Sequence, residues 1–166
     1  MQTDARDIFE LATLVGQDLK GRGLILATAE SCTGGGVAQA ITEIAGSSVW
    51  FDCGFVTYSN ASKMRLLSVP AEVLEQHGAV SNETAAAMCA GALRNSLASV
   101  ALSTTGIAGP DGGVPGKPVG TIYFGWAYGD VTQVERMQFD GDRRSIREQT
   151  VKHALRGLLE LLASRK

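Results

Sequence analysis

Three short segments of this chain join polar side chains to glycine at spacings that chemistry can use. The first is Glu30-Ser31-Cys32-Thr33-Gly34-Gly35-Gly36, set between an apolar run and a helical pattern. A hydroxyl at the carboxyl end of a buried strand stands at the usual ligand edge of an open α/β sheet. Backbone N–H groups at a helix start lack partners and favour negative charge. Ser31 is therefore a candidate nucleophile. Thr33, Gly34, Gly35 and Gly36 are candidates to hold an oxyanion or a substrate phosphate. A capping serine followed by glycines that ease packing would use the same letters. Consecutive glycines in a helix's first turn cost stability, however, and favour a ligand role. Cys32 is a rival nucleophile, though packing beneath the loop is the commoner fate of such a cysteine.

The second segment is Tyr58-Ser59-Asn60-Ala61-Ser62-Lys63. Lys63 falls near the first turn of a short helix. Desolvated there, it would have a lowered pKa and could act as a base. Left in water, it is an ordinary surface lysine. The third segment runs from Ser103-Thr104-Thr105-Gly106 to Gly112-Gly113 and is closed by Lys117-Pro118-Val119-Gly120-Thr121. Thr105 precedes its glycines as Ser31 does. Glycine-rich turns form nests of N–H groups that hold anions; the alternative is an exposed flexible loop. Arg143, Arg144 and Arg147 flank a later helix start, as a solvated face or a phosphate clamp.

Several familiar chemistries are absent. No lysine follows Gly36, so there is no Walker loop, and Gln39 occupies the third glycine position of a dinucleotide fingerprint. No His/Cys/Asp set has metal-ligand spacing. His77 and His153 lack the context of a Ser-His-Asp triad. Cys32, Cys53 and Cys89 form neither a disulfide framework nor a zinc knuckle, which fits a reducing cytoplasm. The start MQTDARDIFE has no apolar core of a signal peptide, and no apolar run is long enough to cross a membrane. Lys and Arg number 15 against 17 Asp and Glu, a net charge of −2, so no overall field attracts nucleic acid or an acidic membrane.

The elements that must position these segments follow from periodicity. Ile8, Leu11, Val15 and Leu19 mark one face of a helix over 4–22. Strands are expected at 24–29, 49–58 and 100–104. Helices are expected at 34–45, 61–67, 71–77 and, N-capped by Ser81, at 82–97. A glycine–proline loop covers 106–118. Strands 119–128 and 131–139 form an antiparallel hairpin across Gly129-Asp130. A final helix carries Val151, Leu155, Leu158 and Leu162 on one face, with a charged, exposed start over 142–146. At 166 residues this is one α/β domain over 1–166. The expected architecture is a three-layer α/β/α sandwich with a mixed, mostly parallel sheet and an antiparallel hairpin near the C-terminus.

The motifs AESCTGG, YSNASK, STTGIAGPDGG with KPVGT, and FDGDRRSIR occur in this order. Together they resemble the CinA C-terminal domain family over residues 24–155. The resemblance implies deamidation of nicotinamide mononucleotide to nicotinate mononucleotide, with release of ammonia and no metal or cofactor. It also implies a serine–lysine pair: Ser31 matches the nucleophile and Lys63 the base, and Tyr58 and Thr105 match polar residues of the same site. Asn60, Gly106 and Arg143 fall in the matched segments as substrate contacts. Longer members carry a further molybdopterin-binding-like domain, whose activities are not carried over.

The expected partner is a small pyridine nucleotide, with no nucleic acid and no membrane, in a homodimer or higher homo-oligomer. In the expected mechanism neutral Lys63 takes the Ser31 proton, and Tyr58 and Thr105 orient Lys63 or the amide. N–H groups at 33–35 receive the oxyanion, or those of 106–113 do so if the first set holds the phosphate. A non-catalytic nucleotide-binding or regulatory module would use the same loops with Lys63 charged and uninvolved. A phosphotransferase would need a Walker lysine and a magnesium carboxylate, and neither is evident.

Overall fold

Helix α1 (Ile8–Arg22) opens on a capping box: Asp7 accepts from the Glu10 amide, and Glu10 from the Asp7 amide, both at 2.8 Å. This reciprocal pair starts the helix at Ile8, so residues 6–7, expected within it, precede it. The computed structural model describes residues 6–165, so positions 4–5 of the expected helix lie outside the described residues. The chain continues through β1 (Leu26–Glu30), α2 (Gly36–Thr42), β2 (Phe51–Val56), α3 (Asn60–Leu67), α4 (Ala71–His77) and α5 (Asn82–Arg94). It ends with β3 (Val100–Gly106), β4 (Thr121–Tyr128), β5 (Val131–Gln138) and α6 (Arg143–Ser164).

The strands form one sheet in the order β2-β1-β3-β4-β5. β1 pairs in parallel with β2 and β3, whereas β3–β4 and β4–β5 are antiparallel. The sheet is mixed, as expected, but its parallel part is confined to β2, β1 and β3. The reason lies in the connections. Parallel neighbours need a crossover, usually helical. β3 reaches β4 through a loop without a helix, and β4 reaches β5 through the tight turn at Gly129.

The sheet has unequal faces. Leu26, Val100, Leu102, Ile122, Phe124 and Trp126 point toward α1, α2 and α6, where they pack on Leu11, Ile41, Leu155 and Leu158. Each such fully buried side chain contributes about 1.5–3 kcal/mol. Ala27, Ala29, Ala101 and Ala127 point the other way, toward Met88 and Cys89 of α5. These short side chains let α5 lie close to the sheet. α5 in turn approaches α3 backbone to backbone: a Cβ on Gly91 would fall 1.9 Å from the Leu67 carbonyl oxygen. The alanine-rich sequence of α5 thereby draws α3, and Lys63 with it, toward the sheet edge. The start of α6 is less exposed than expected, because Ile146 is buried while Arg143 and Arg144 face outward.

Candidate active site

The three polar segments meet because β1, β2 and β3 run the same way. Glu30 pairs with Val56 on one side and Thr104 on the other, so all three strands end at one edge. Two backbone bonds fix the residues that follow: Ser31 N–H donates to the Thr104 carbonyl at 2.9 Å, and Thr57 N–H to the Glu30 carbonyl at 2.8 Å. The carboxyl edge of a parallel sheet is where such folds place their ligands.

Lys63 arrives from α3. Ser59 and Ser62 cap each other at the start of that helix, which holds Lys63 in its first turn. Its side chain runs inward, and the residue is only 1% exposed. Lys63 Nζ lies 2.9 Å from Ser31 Oγ and 2.7 Å from the Thr57 carbonyl oxygen. Among the described residues no carboxylate pairs with it. Burial pulls its pKa below the ordinary lysine value. An ammonium taken out of water without a counter-charge is costly, so the neutral amine is favoured. A neutral amine has two N–H groups and one lone pair. The Thr57 carbonyl can only accept, so it takes an N–H; the lone pair is then free to accept the Ser31 hydroxyl proton.

The pair opens into a cleft of about 290 Å³ lined by Ser31, Tyr58, Asn60, Lys63, Thr105, Gly106 and Arg143, with Cys32 and Asp111 beside them. Its size is at the lower end of small-molecule sites, about 300–1,000 Å³. Tyr58 is 62% exposed at the rim, and its hydroxyl accepts from Arg143 Nη2 at 2.9 Å. Arg143 Nη1 donates to the Gly109 carbonyl at 2.7 Å, tying α6 to the glycine loop. Thr105 Oγ1 donates to the Ala79 carbonyl at 2.7 Å. Neither Tyr58 nor Thr105 hydrogen-bonds to Lys63. The group that orients the lysine is the Thr57 carbonyl, which sequence reasoning missed because a backbone oxygen leaves no mark on residue type.

The glycine run behaves differently from expectation. α2 begins at Gly36, not residue 34, because Gly34 and Gly35 turn the chain at φ 60° and 97°. The structure does not bring Thr33, Gly34, Gly35 or Gly36 to the cleft. Thr33 and Gly36 line a separate cavity of about 450 Å³ beside Arg144 and Arg147. The amides that open α2 are already occupied: Glu30 Oε1 accepts from Val37 N–H at 2.8 Å and Oε2 from Ala38 N–H at 3.1 Å. The chain's own carboxylate fills the place expected for a phosphate or oxyanion. Among the described residues, Cys32 N–H, next to the nucleophile, donates to no other residue.

Cys32 is buried, and burial pushes its thiol up to about 12. It stays protonated at neutral pH and packs under the loop. His153 lies elsewhere, against Phe124, with Nε2 2.8 Å from Glu135 Oε2 and Nδ1 2.6 Å from Arg156 Nη2. His77 ends α4 and stands 3.6 Å from Glu83. Among the described residues no three His, Cys, Asp or Glu side chains gather as metal ligands. No helix among them is long and apolar enough to cross a membrane.

A mixed five-stranded sheet between two helical layers, with a buried lysine against a serine at its parallel edge, defines the class of protein. The model of the CinA C-terminal domain matches residues 8–162, and the chain belongs to that family. It is 53% identical over 154 residues to the nicotinamide-nucleotide amidohydrolase PncC of Pseudomonas putida, covering 93% of this chain and 96% of that one. It is 50% identical over 153 residues to the protein of that name from Escherichia coli strain K12, covering 92% and 93%. The crystal structure of competence damage-inducible protein A from Klebsiella pneumoniae superimposes with a TM-score of 0.92 at 40% identity, covering 95% of this chain and 98% of that one.

Proposed function

We propose that this protein hydrolyses the carboxamide of nicotinamide mononucleotide to nicotinate mononucleotide and ammonia, a step of pyridine nucleotide salvage. The observation that carries this reading is the 2.9 Å contact between Ser31 Oγ and a buried Lys63 Nζ that pairs with no carboxylate among the described residues. The relatives named for this activity, at 50–53% identity over nearly the whole chain, supply the substrate.

The reaction begins as Ser31 Oγ attacks the carboxamide carbon and neutral Lys63 takes the hydroxyl proton. The carbonyl oxygen becomes an oxyanion and needs fixed donors. Cys32 N–H and the amides of Ala108 and Gly109 are the groups at hand, since Ile107 N–H is taken by the Thr121 carbonyl at 3.0 Å. Collapse breaks the C–N bond, and Lys63 delivers its proton to the departing nitrogen, which leaves as ammonia. Water then attacks the ester. Lys63 accepts a water proton and returns it to Ser31, freeing the carboxylate product. Arg143 stands at the cleft mouth to receive the phosphate, with Asn60 beside the ring or ribose.

The alternative of a non-catalytic module leaves Lys63 charged, which its burial opposes. The test is ammonia release from nicotinamide mononucleotide without added metal. Wild type is expected to release it and Ser31→Ala is not. A folded wild-type protein that releases none would overturn the reading.

A further inference from the structure

The inference concerns Glu30 and rests on the reading of Ser31 as the nucleophile. Glu30 is completely buried and one residue before Ser31. A carboxylate in that position needs a reason. Its hydrogen bonds supply one. Besides Val37 and Ala38 N–H, Glu30 Oε1 accepts from Thr33 Oγ1 at 2.6 Å. The Thr33 hydroxyl has one hydrogen and gives it to Glu30, so at its 2.8 Å contact with Thr104 Oγ1 it accepts. A chain of donors thus runs from Thr104 to Thr33 to Glu30. Thr104 also takes Ser31 N–H on its carbonyl.

The nucleophile is therefore held from both sides. Its own amide is tied to β3, and the turn that follows it is tied back to β1 through the Glu30 carboxylate and to α6 through Arg147, which donates to the Cys32 and Thr33 carbonyls at 3.2 and 3.0 Å. That turn passes through two left-handed glycines, which have little conformational preference of their own. Charge-assisted bonds of this kind are short and directional.

We infer that Glu30 is a positioning residue for the reaction: its buried carboxylate, bonded to Thr33, Val37 and Ala38, fixes the Ser31–Gly36 turn so that Ser31 meets Lys63 and the following amide faces the cleft.

Glu30→Gln keeps the shape but puts an NH₂ group against one of the donors. The measurement is the single-turnover rate constant with nicotinamide mononucleotide, which does not depend on the fraction of molecules folded. Misplacing a reacting group by about 1 Å costs about 100-fold, so the constant is expected to fall by about 30–100-fold. The pH at which kcat/KM is half-maximal should stay where wild type has it, because Lys63 keeps its surroundings. Thr33→Val and Thr33→Ser form the second pair and decide the question if Glu30→Gln does not fold. The serine, which keeps the hydroxyl, is expected to restore the rate that valine loses. A folded Glu30→Gln within twofold of wild type, or equal rates for the two Thr33 variants, would overturn the inference. A wild-type protein inert toward the substrate would sink the proposed reaction instead. The same variants would then be compared by the rate at which a small fluorophosphonate labels Ser31, with the same expected order.

Discussion

The Thr57 carbonyl oxygen lies 2.7 Å from Lys63 Nζ and fixes the direction of the amine's lone pair. With one N–H held there, the nitrogen can accept from Ser31 Oγ at 2.9 Å. The contact is local in sequence, since Thr57 directly follows β2 and only two residues separate it from α3. It makes the lysine a directed base rather than only a buried one.

The first prediction concerns pH. Burial lowers the Lys63 pKa, and only the neutral amine accepts the serine proton. Thus kcat/KM should rise with pH through that lowered pKa and level off above it. A profile that keeps rising up to the ordinary lysine value, about 10.4, would contradict the lowering of the Lys63 pKa by burial.

The same shift carries a stability consequence. The unfolded chain holds the Lys63 proton up to about 10.4, while the folded chain releases it earlier. Between the two values the unfolded state binds more protons, so this group's contribution to stability rises with pH there. Its cost is full below the folded pKa and gone above the unfolded one. Lys63→Met should therefore be inactive yet melt higher than wild type at neutral pH, by about 2–4 °C for each ~1 kcal/mol recovered. The difference should shrink as pH approaches 10. Thermal melts at several pH values test this.

Cys32 should be dispensable for chemistry. A thiol pushed up to about 12 offers no thiolate at neutral pH. Cys32→Ala is expected to keep kcat within about threefold of wild type, with some loss of stability from the small cavity. Steady-state kinetics and a melting curve check both. A folded but dead Cys32→Ala would move the nucleophile by one residue.

Arg143 bridges Tyr58 and the Gly109 carbonyl at the cleft mouth. If it receives the substrate phosphate, Arg143→Met should raise KM by about 10–100-fold, the worth of one charged hydrogen bond or two. kcat should change much less. Loss confined to kcat would assign Arg143 to loop placement instead.

Gly91 tests the packing that delivers the base. A methyl there would meet the Leu67 carbonyl at 1.9 Å. Gly91→Ala should cost about 1–3 kcal/mol by overpacking and lower activity by pushing α3, and with it Lys63, away from Ser31.

The layers were readable in the sequence because they rest on periodicity. Leu155, Leu158 and Leu162 spell one face of α6, and the Gly129 turn spells the hairpin. The meeting of Ser31, Lys63, Tyr58, Thr105 and Arg143 was legible because each motif ends a strand or opens a helix. Three things were not. The Gly34–Gly36 run was read as an anion site, and its letters would suit one. Glu30 fills that helix start instead, and only the fold reveals that its side chain folds back under the turn. Thr57 acts through its backbone, so any residue there would have looked the same. The direction of β4 was also hidden, since the 107–120 loop has no pattern that distinguishes a hairpin return from a crossover.

The central claim is that Ser31 carries the acyl group and Lys63 moves the proton. The most direct measurement is turnover of nicotinamide mononucleotide with hydroxylamine present, reading ammonia and hydroxamate together. An acyl-enzyme predicts hydroxamate rising with hydroxylamine at the expense of nicotinate mononucleotide, and neither product from Ser31→Ala. Ammonia with no hydroxamate at any concentration, or wild-type yields from Ser31→Ala, would contradict it.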